Sequence, residues 1–172
     1  MSRRQTRVWF ASCLLGVLAA ASVVAAPSAA AAEGEAGQKL PRFVSLRSDQ
    51  VNLRVGPGEN YPIEWVLTRK EMPVEIVKEF ENWRMIRDWQ GTEGWVHERM
   101  LTGKRAVVVK GGIRTLHRQP DPASPAVARA QPGVIAKLLE CRADWCRIDA
   151  ADHAGWVQRG DLWGVYPDEI VQ

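Results

Sequence analysis

The sequence predicts an all-β protein made of two small barrels in tandem. Three observations carry that prediction. The chain repeats itself: Gly94-Trp95-Val96 returns as Gly155-Trp156-Val157, Trp83-Arg84-Met85-Ile86 as Trp145-Cys146-Arg147-Ile148, and Asn52-Leu53-Arg54 as Thr115-Leu116-His117. The spacing drifts through 61, 62 and 63 residues, the signature of one unit copied with small loop-length differences. Short β-branched and apolar runs stand between Gly, Pro, Asn and Asp clusters, and no stretch of the two units holds a helical period of useful length.

Residues 1–32 precede the repeats. Arg3, Arg4 and Arg7 give a basic start, an uncharged apolar run follows from Val8 to Ala26, and alanines at 30–32 offer a small-residue cleavage site. This is the order of a secretory signal peptide, with cleavage expected before Glu33. An uncleaved anchor is the alternative, because 19 uncharged residues just suffice to cross a bilayer. Either reading places residues 33–172 outside the cytoplasm, in the periplasm or cell envelope. With cleavage the protein keeps no membrane segment. Residues 33–41 form a short polar lead and 167–172 a tail.

Losing the leader changes the charge. Three of the 23 basic residues go with it and none of the 20 acidic ones, so the remainder is neutral. A neutral chain offers no clustered cations for phosphates, so nucleic acid is not an expected partner.

The first unit, 42–103, reads as about five strands in order. QVNLRV alternates up to Gly56-Pro57-Gly58; WVLT and PVEIVKE are β-rich; WRMIR follows a polar turn; GWVH closes the unit. Trp83 and Ile86 are three apart and cannot share one face of a regular strand, so a bulge or an outward Trp83 is expected. The second unit, 104–166, repeats this pattern more loosely. Units this short sit near the lower limit for independent folding, and packing of one on the other is expected to add to stability. Seven tryptophans beyond the leader supply buried area.

Val51-Asn52-Leu53-Arg54, Gly56-Pro57, Trp83, Ile86 and Gly94-Trp95-Val96 together resemble the bacterial SH3 (SH3b) pattern. Ile113, Leu116, Pro120, Trp145, Ile148, Gly155, Trp156 and Val157 carry the looser second match. The arrangement resembles exported proteobacterial proteins made of two such domains. The resemblance implies SH3-like barrels, and a non-enzymatic module that binds peptidoglycan or an envelope protein.

The segment NLRVGPGENYP then has a structural meaning. As a phosphate loop it fails, since no Lys-Ser/Thr and no helix start follow. As a turn it fits type II, with Pro57 fixing φ and Gly58 at φ > 0. In the SH3b pattern this turn opens the RT-type loop beside the ligand groove. Asp121 replaces Gly58 in the second unit, so that loop is expected to differ in shape and to be stiffer. Asn52 and Arg54 are expected to brace the first loop by hydrogen bonds.

Chemistry is sparse. The cysteines beyond the leader, Cys141 and Cys146, lie across a turn, and His97, His117 and His153 are scattered. This gives no nucleophile–base arrangement, so no catalytic residues are assigned. The C-x4-C spacing lacks further ligands, so neither metal nor other cofactor is expected. An even pair in an oxidising compartment, at facing positions of a hairpin, is expected to form a disulfide. Trp83, Trp95, Trp145 and Trp156 recur in both units and read as structural, as do Gly94 and Gly155. Tyr61, Trp65 and Trp89 have no aromatic counterpart in the second unit. A residue the barrel itself needs should recur, so these three are the candidate ligand-binding residues. The second unit carries 10 basic and 6 acidic residues against 9 and 10 in the first, which reads first as two differently solvated surfaces and, as the alternative, as a mildly basic second unit facing anionic wall polymers.

Overall fold

The structure, a computed structural model, describes residues 37–172; the leader lies outside the described residues. The first unit contributes β1 (Arg42–Leu46), β2 (Val51–Arg54), β3 (Ile63–Leu67), β4 (Pro73–Phe80), β5 (Trp83–Arg87), β6 (Glu93–His97) and β7 (Leu101–Thr102). The second contributes β8 (Ala106–Val109), β9 (Arg114–His117), β10 (Ala126–Ala130), β11 (Ile135–Arg142), β12 (Trp145–Ala150), β13 (His153–Gln158) and β14 (Leu162–Trp163). Each set forms one sheet, ordered β3-β2-β6-β5-β4-β1-β7 and β10-β9-β13-β12-β11-β8-β14. The second order is the first with every strand number raised by seven, so the repeat in sequence is a repeat in topology.

Seven strands per unit replace the five expected. The additions are the first and last strand of each set. β7 and β14 have two residues each, too short to show a period, and each follows a single 3-10 turn. β1 lies between β4 and β7 rather than at an edge. Its residues run half-buried, then buried, and never alternate.

The bulges recur with the strands. Between β2 and β3 the register passes from Leu53↔Trp65 to Arg54↔Ile63, skipping Glu64. Between β9 and β10 it skips Val127 in the same way. The β4–β5 pair skips Val77, and the β11–β12 pair skips Leu139. Each extra residue adds twist, which lets a short sheet curl over its own core. Along β5 the burial alternates, with Arg84 and Ile86 inward and Trp83 outward. Trp83 therefore lies on the outer face, its ring edge-on to His97 at 5.4 Å.

Twin side chains fill the two cores. Leu53, Ile86 and Val96 are buried in the first, Leu116, Ile148 and Val157 in the second. The motif glycines allow these side chains to approach. A Cβ on Gly94 would stand 2.5 Å from Leu53 Cγ, and one on Gly155 would stand 2.8 Å from Leu116 Cβ.

The barrels also pack on each other. The Phe43 ring meets Trp163 at 5.0 Å and Tyr166 at 4.6 Å between centroids. The Tyr166 hydroxyl donates to Glu75 at 2.8 Å, and Ile135 packs against the first core. Around this seam Arg159 donates to the carbonyls of Tyr166 (2.8 Å) and Glu169 (2.7 Å). The Glu169 carboxylate accepts from Arg105 and from the Tyr166 N–H at 3.1 Å. Burial and the Glu75 carboxylate push the Tyr166 phenol well above its ordinary pKa. Burial works to raise Glu169 as well, but the hydrogen bonds from Arg105 and Tyr166 outweigh it and hold the carboxyl below its usual value.

Candidate functional site

The loop between β2 and β3 carries Tyr61 and is fixed from within. The Gly58 N–H donates to the Gly56 carbonyl at 3.0 Å, closing a three-residue turn around Pro57. An i→i+2 bond over a proline is an inverse γ-turn, for which the fixed φ of proline is suited. The Tyr61 N–H then donates to the Gly58 carbonyl at 3.3 Å, and the Val55 N–H to the Pro62 carbonyl at 3.2 Å. Gly58 is not among the residues at positive φ, so the expected type II turn does not form. The glycine that matters is Gly56. A Cβ there would stand 2.3 Å from Cδ1 of Tyr61, so the ring lies over the bare backbone. Gly58 is also beneath the ring, at a looser 3.3 Å.

The second unit copies this loop, against expectation. Asp121 N–H donates to Gln119 at 2.8 Å around Pro120, Ser124 N–H to Asp121 at 3.0 Å, and Arg118 N–H to Pro125 at 3.0 Å. These are the three bonds of the first loop shifted by 63 residues. The γ-turn asks nothing of the residue after proline, so Asp121 can stand where Gly58 stands. Its carboxylate adds an acceptor for the Ala123 N–H at 2.8 Å. Ser124 replaces Tyr61 and Gln119 replaces Gly56: with no ring to accommodate, the Cβ returns.

Arg54 clamps the first loop as expected. Its guanidinium donates to the carbonyls of Tyr61 (2.7 Å) and Glu59 (3.0 Å). His117, its twin, is bonded through Nδ1 to the Ser124 carbonyl at 2.8 Å. Asn52 takes no part in this clamp, contrary to expectation. It is exposed on β2 and makes no side-chain hydrogen bond among the described residues.

Trp89 stands in the five-residue turn between β5 and β6. Asp88, a residue the sequence pattern did not single out, holds that turn. Its buried carboxylate accepts from the Gln90 N–H (2.9 Å) and the Thr92 N–H (2.8 Å). Gly91 sits at φ 91° in the same turn, a position that favours glycine. In the second unit Ala150 pairs with His153 across a turn of only two residues, Ala151 and Asp152, both at positive φ and neither aromatic. An Asp followed two and four residues later by N–H donors, with Gly between, was the available signal.

Trp65 lies on β3, at the edge of the sheet, opposite Leu53. From Ile63 to Val66 every β3 residue is exposed, Trp65 most among the aromatic side chains at 57%. Arg54 pairs with Trp95 on antiparallel β6. The chain beyond β2 therefore runs beside the start of β6, and the Tyr61 loop and the Trp89 turn fall at one end of the barrel. Trp65 begins two residues inside β3 from that end. Among the described residues none of the three rings stacks on another. Tyr61, Trp65 and Trp89 are each exposed, as are Val55 and Ile63, so the rim of the first barrel is apolar here.

The other tryptophans take supporting positions. Trp95 is half-buried between Met85 and Arg54. Trp145 lies edge-on to His117 at 5.8 Å, and Trp156 is buried with the Arg142 guanidinium 5.7 Å from its ring centre. Cys141 and Cys146 are a facing pair of the β11–β12 hairpin and form a disulfide. Among the described residues no group of His, Cys, Asp and Glu is placed to hold a metal ion.

Solved structures similar to the chain include NlpC2 and NlpC1 from Trichomonas vaginalis, each at 12% identity. The matches cover 75% and 80% of this chain, 50% of each of theirs, with TM-scores of 0.35 and 0.32. An NlpC/P60 family protein from Bacillus cereus ATCC 10987 is 13% identical over 70% of this chain and 55% of its own, with a TM-score of 0.32. The chain spans about half the length of these proteins. No curated protein matches it significantly. The model of the bacterial SH3 domain matches residues 47–103 and again 110–164. With both barrels matched in turn, the chain belongs to the bacterial SH3 domain family.

Proposed function

We propose that the protein is an exported, non-enzymatic module that binds peptidoglycan through its peptide stems, using one site on the first barrel. Tyr61, Trp65 and Trp89 are its contact residues; Arg54 and Gly56 seat Tyr61, Asp88 holds the turn of Trp89, and β3 carries Trp65. One observation carries the reading. The first barrel spends a bare glycine, an arginine clamp and a longer turn on presenting exposed aromatic side chains, and the second barrel, with the same strand order, presents none. Aromatic faces held by their own main chain give contact area at little entropy cost, which suits peptide and sugar ligands. Membership in a family of cell-wall-binding modules supports the same ligand class.

The test is co-sedimentation of the full chain with purified sacculi. The parent is expected in the pellet. A Tyr61→Ala/Trp65→Ala/Trp89→Ala variant with unchanged circular dichroism is expected in the supernatant. Equal sedimentation of the two proteins refutes the site.

One observation favours a second reading, docking on an envelope protein. β3 is an edge strand whose side chains from Ile63 to Val66 are all exposed. Such an edge can accept an extended segment of another chain by strand addition. That reading expects no binding to sacculi and capture of a protein partner that Trp65→Pro abolishes.

A further inference from the structure

We propose that the cleft between the two barrels is a second binding site, and that it takes the C-terminal carboxylate of a peptide ending in a small apolar residue. The site owes nothing to the aromatic rim and stands whether or not the rim binds sacculi.

The cleft has a volume of about 310 Å³ and draws its walls from both barrels. Ser45 and Glu71 come from the first; Lys104, Ala106, Lys137 and Leu138 come from the link and the second. Ala106 and Leu138 are buried and give it an apolar floor, while Lys104 and Lys137 are exposed at its sides. Neither lysine side chain has an ion-pair or hydrogen-bond partner among the described residues. Arg105 also reaches the cleft, but its charge is already taken by Glu169. A neighbouring cleft of about 280 Å³ shares Glu71 and Lys104 and adds Lys70 and Arg47, so the positive field extends past the mouth.

Two details point to a ligand rather than to a solvated crevice. Ser45 lines the cleft, is fully buried, and its hydroxyl has no partner among the described residues. Glu71 stands at φ 62°, a conformation few side chains adopt without strain. Its twin in the second barrel is Gly133 at φ 80°, and both donate their N–H to matching carbonyls, Leu46 and Val109. The fold thus accepts glycine here, yet the first barrel carries a glutamate that makes no ion pair among the described residues.

A peptide C-terminus satisfies every element. Its carboxylate accepts from Lys104, Lys137 and the Ser45 hydroxyl, its last side chain meets Ala106 and Leu138, and its last amide N–H supplies a donor for Glu71. A simple anion would leave Glu71 and the floor unused. A nucleic acid would meet one isolated carboxylate and too few cations.

The experiment compares N-acetyl-alanyl-alanine with its C-terminal amide, each titrated into the full chain and followed by backbone amide NMR. The acid is expected to shift the amides of Ser45, Ala106 and Leu138 and to bind at least about tenfold tighter than the amide form. Lys104→Ala and Lys137→Ala should each weaken the acid several-fold, roughly one charge-assisted contact apiece, and leave the weak amide binding unchanged. Glu71→Gly should raise thermal stability while weakening the acid. The Tyr61→Ala/Trp65→Ala/Trp89→Ala variant should bind the acid as the parent does, which separates this site from the rim. Equal affinity for acid and amide, full binding by Lys137→Glu, or shifts confined to the Tyr61 and Trp89 loops would overturn the proposal.

Discussion

The ring of Tyr61 lies so close over Gly56 that a Cβ on the glycine would stand between 2.3 and 2.6 Å from three ring atoms. Ring and glycine are five residues apart on one loop, and the Arg54 guanidinium holds the Tyr61 carbonyl at 2.7 Å. The ring cannot give way without breaking that clamp or leaving the loop. Gly56→Ala should therefore cost about 1–3 kcal/mol, the range of overpacking, or swing the ring outward. Gly58→Ala, with 3.3 Å of room and no positive φ, should cost less. Adding Tyr61→Ser to Gly56→Ala recreates the combination of a Cβ and a serine that the second barrel tolerates at Gln119 and Ser124, and should restore stability. Urea unfolding of the three variants reads all these effects; equal losses at Gly56 and Gly58 would contradict the contact.

Local chemistry was legible in the sequence; chemistry that joins distant segments was not. The repeat, the middle strands and the disulfide hairpin show in alternation, in spacing and in the turn residues between them. The GPG turn misled because Gly-Pro-Gly suits both a type II turn and a γ-turn around proline, and only the hydrogen-bond partner of the Gly58 N–H separates them. β7 is two residues long and carries no period to read. Phe43 and Tyr166 lie at opposite ends of the paired units, and nothing near either residue signals that their rings meet. At the rim, the absence of twins for Tyr61, Trp65 and Trp89 could be seen, and so could Arg54 as a brace, but two supports could not: Gly56 lies under a ring five residues on, and Asp88 resembles any turn aspartate.

Acid should loosen the seam through Glu169. Its folded pKa lies below the ordinary value, so its contribution is present above the unfolded pKa of about 4.3 and is lost as pH falls through the folded value. Stability of the parent should fall on acidification below about pH 4.3. Glu169→Gln should be less stable than the parent at neutral pH, and its stability should fall less steeply in acid. Unfolding free energies across the acid range test this; parallel curves for the two proteins would exclude the assignment.

Alkali should loosen the same seam through Tyr166, with the opposite sign. Its folded pKa is raised, by burial first and by Glu75 next, so the neutral phenol is favoured in the folded protein. The contribution is fully present below the unfolded pKa of about 10 and is lost as pH rises from there through the folded value. Tyr166→Phe removes the ionisable group together with its hydrogen bond to Glu75 at 2.8 Å. That variant should be slightly less stable at neutral pH and should lose the part of the alkaline decline that starts near pH 10. Spectrophotometric titration offers an independent check: the Tyr166 phenolate should appear only as the protein unfolds.

Glu79 and Arg84 face each other across the β4–β5 hairpin at the positions that Cys141 and Cys146 hold across the β11–β12 hairpin. The first barrel joins the pair by an ion pair of 3.3 Å, the second by a covalent bond. Both links sit under the barrel: the Glu79 side chain is 1% exposed and Arg84 9%, while both cysteines are buried. The ion pair belongs to a network, since Arg42 also reaches Glu79 and Arg84 reaches Glu98 at 2.6 Å. Breaking one member strands a buried charge, so Arg84→Ala should cost about 3–5 kcal/mol, less whatever Arg42 supplies to Glu79. Reducing the disulfide should cost only about 2 kcal/mol, because the loop it closes is short. The backbone at the two hairpins is the same, so Glu79→Cys combined with Arg84→Cys should oxidise as the natural pair does. Thiol titration of the unfolded, unreduced double variant should then find no free cysteine besides any contributed by Cys13. Two additional free thiols, or loss of the fold on oxidation, would show that the two hairpins are not interchangeable.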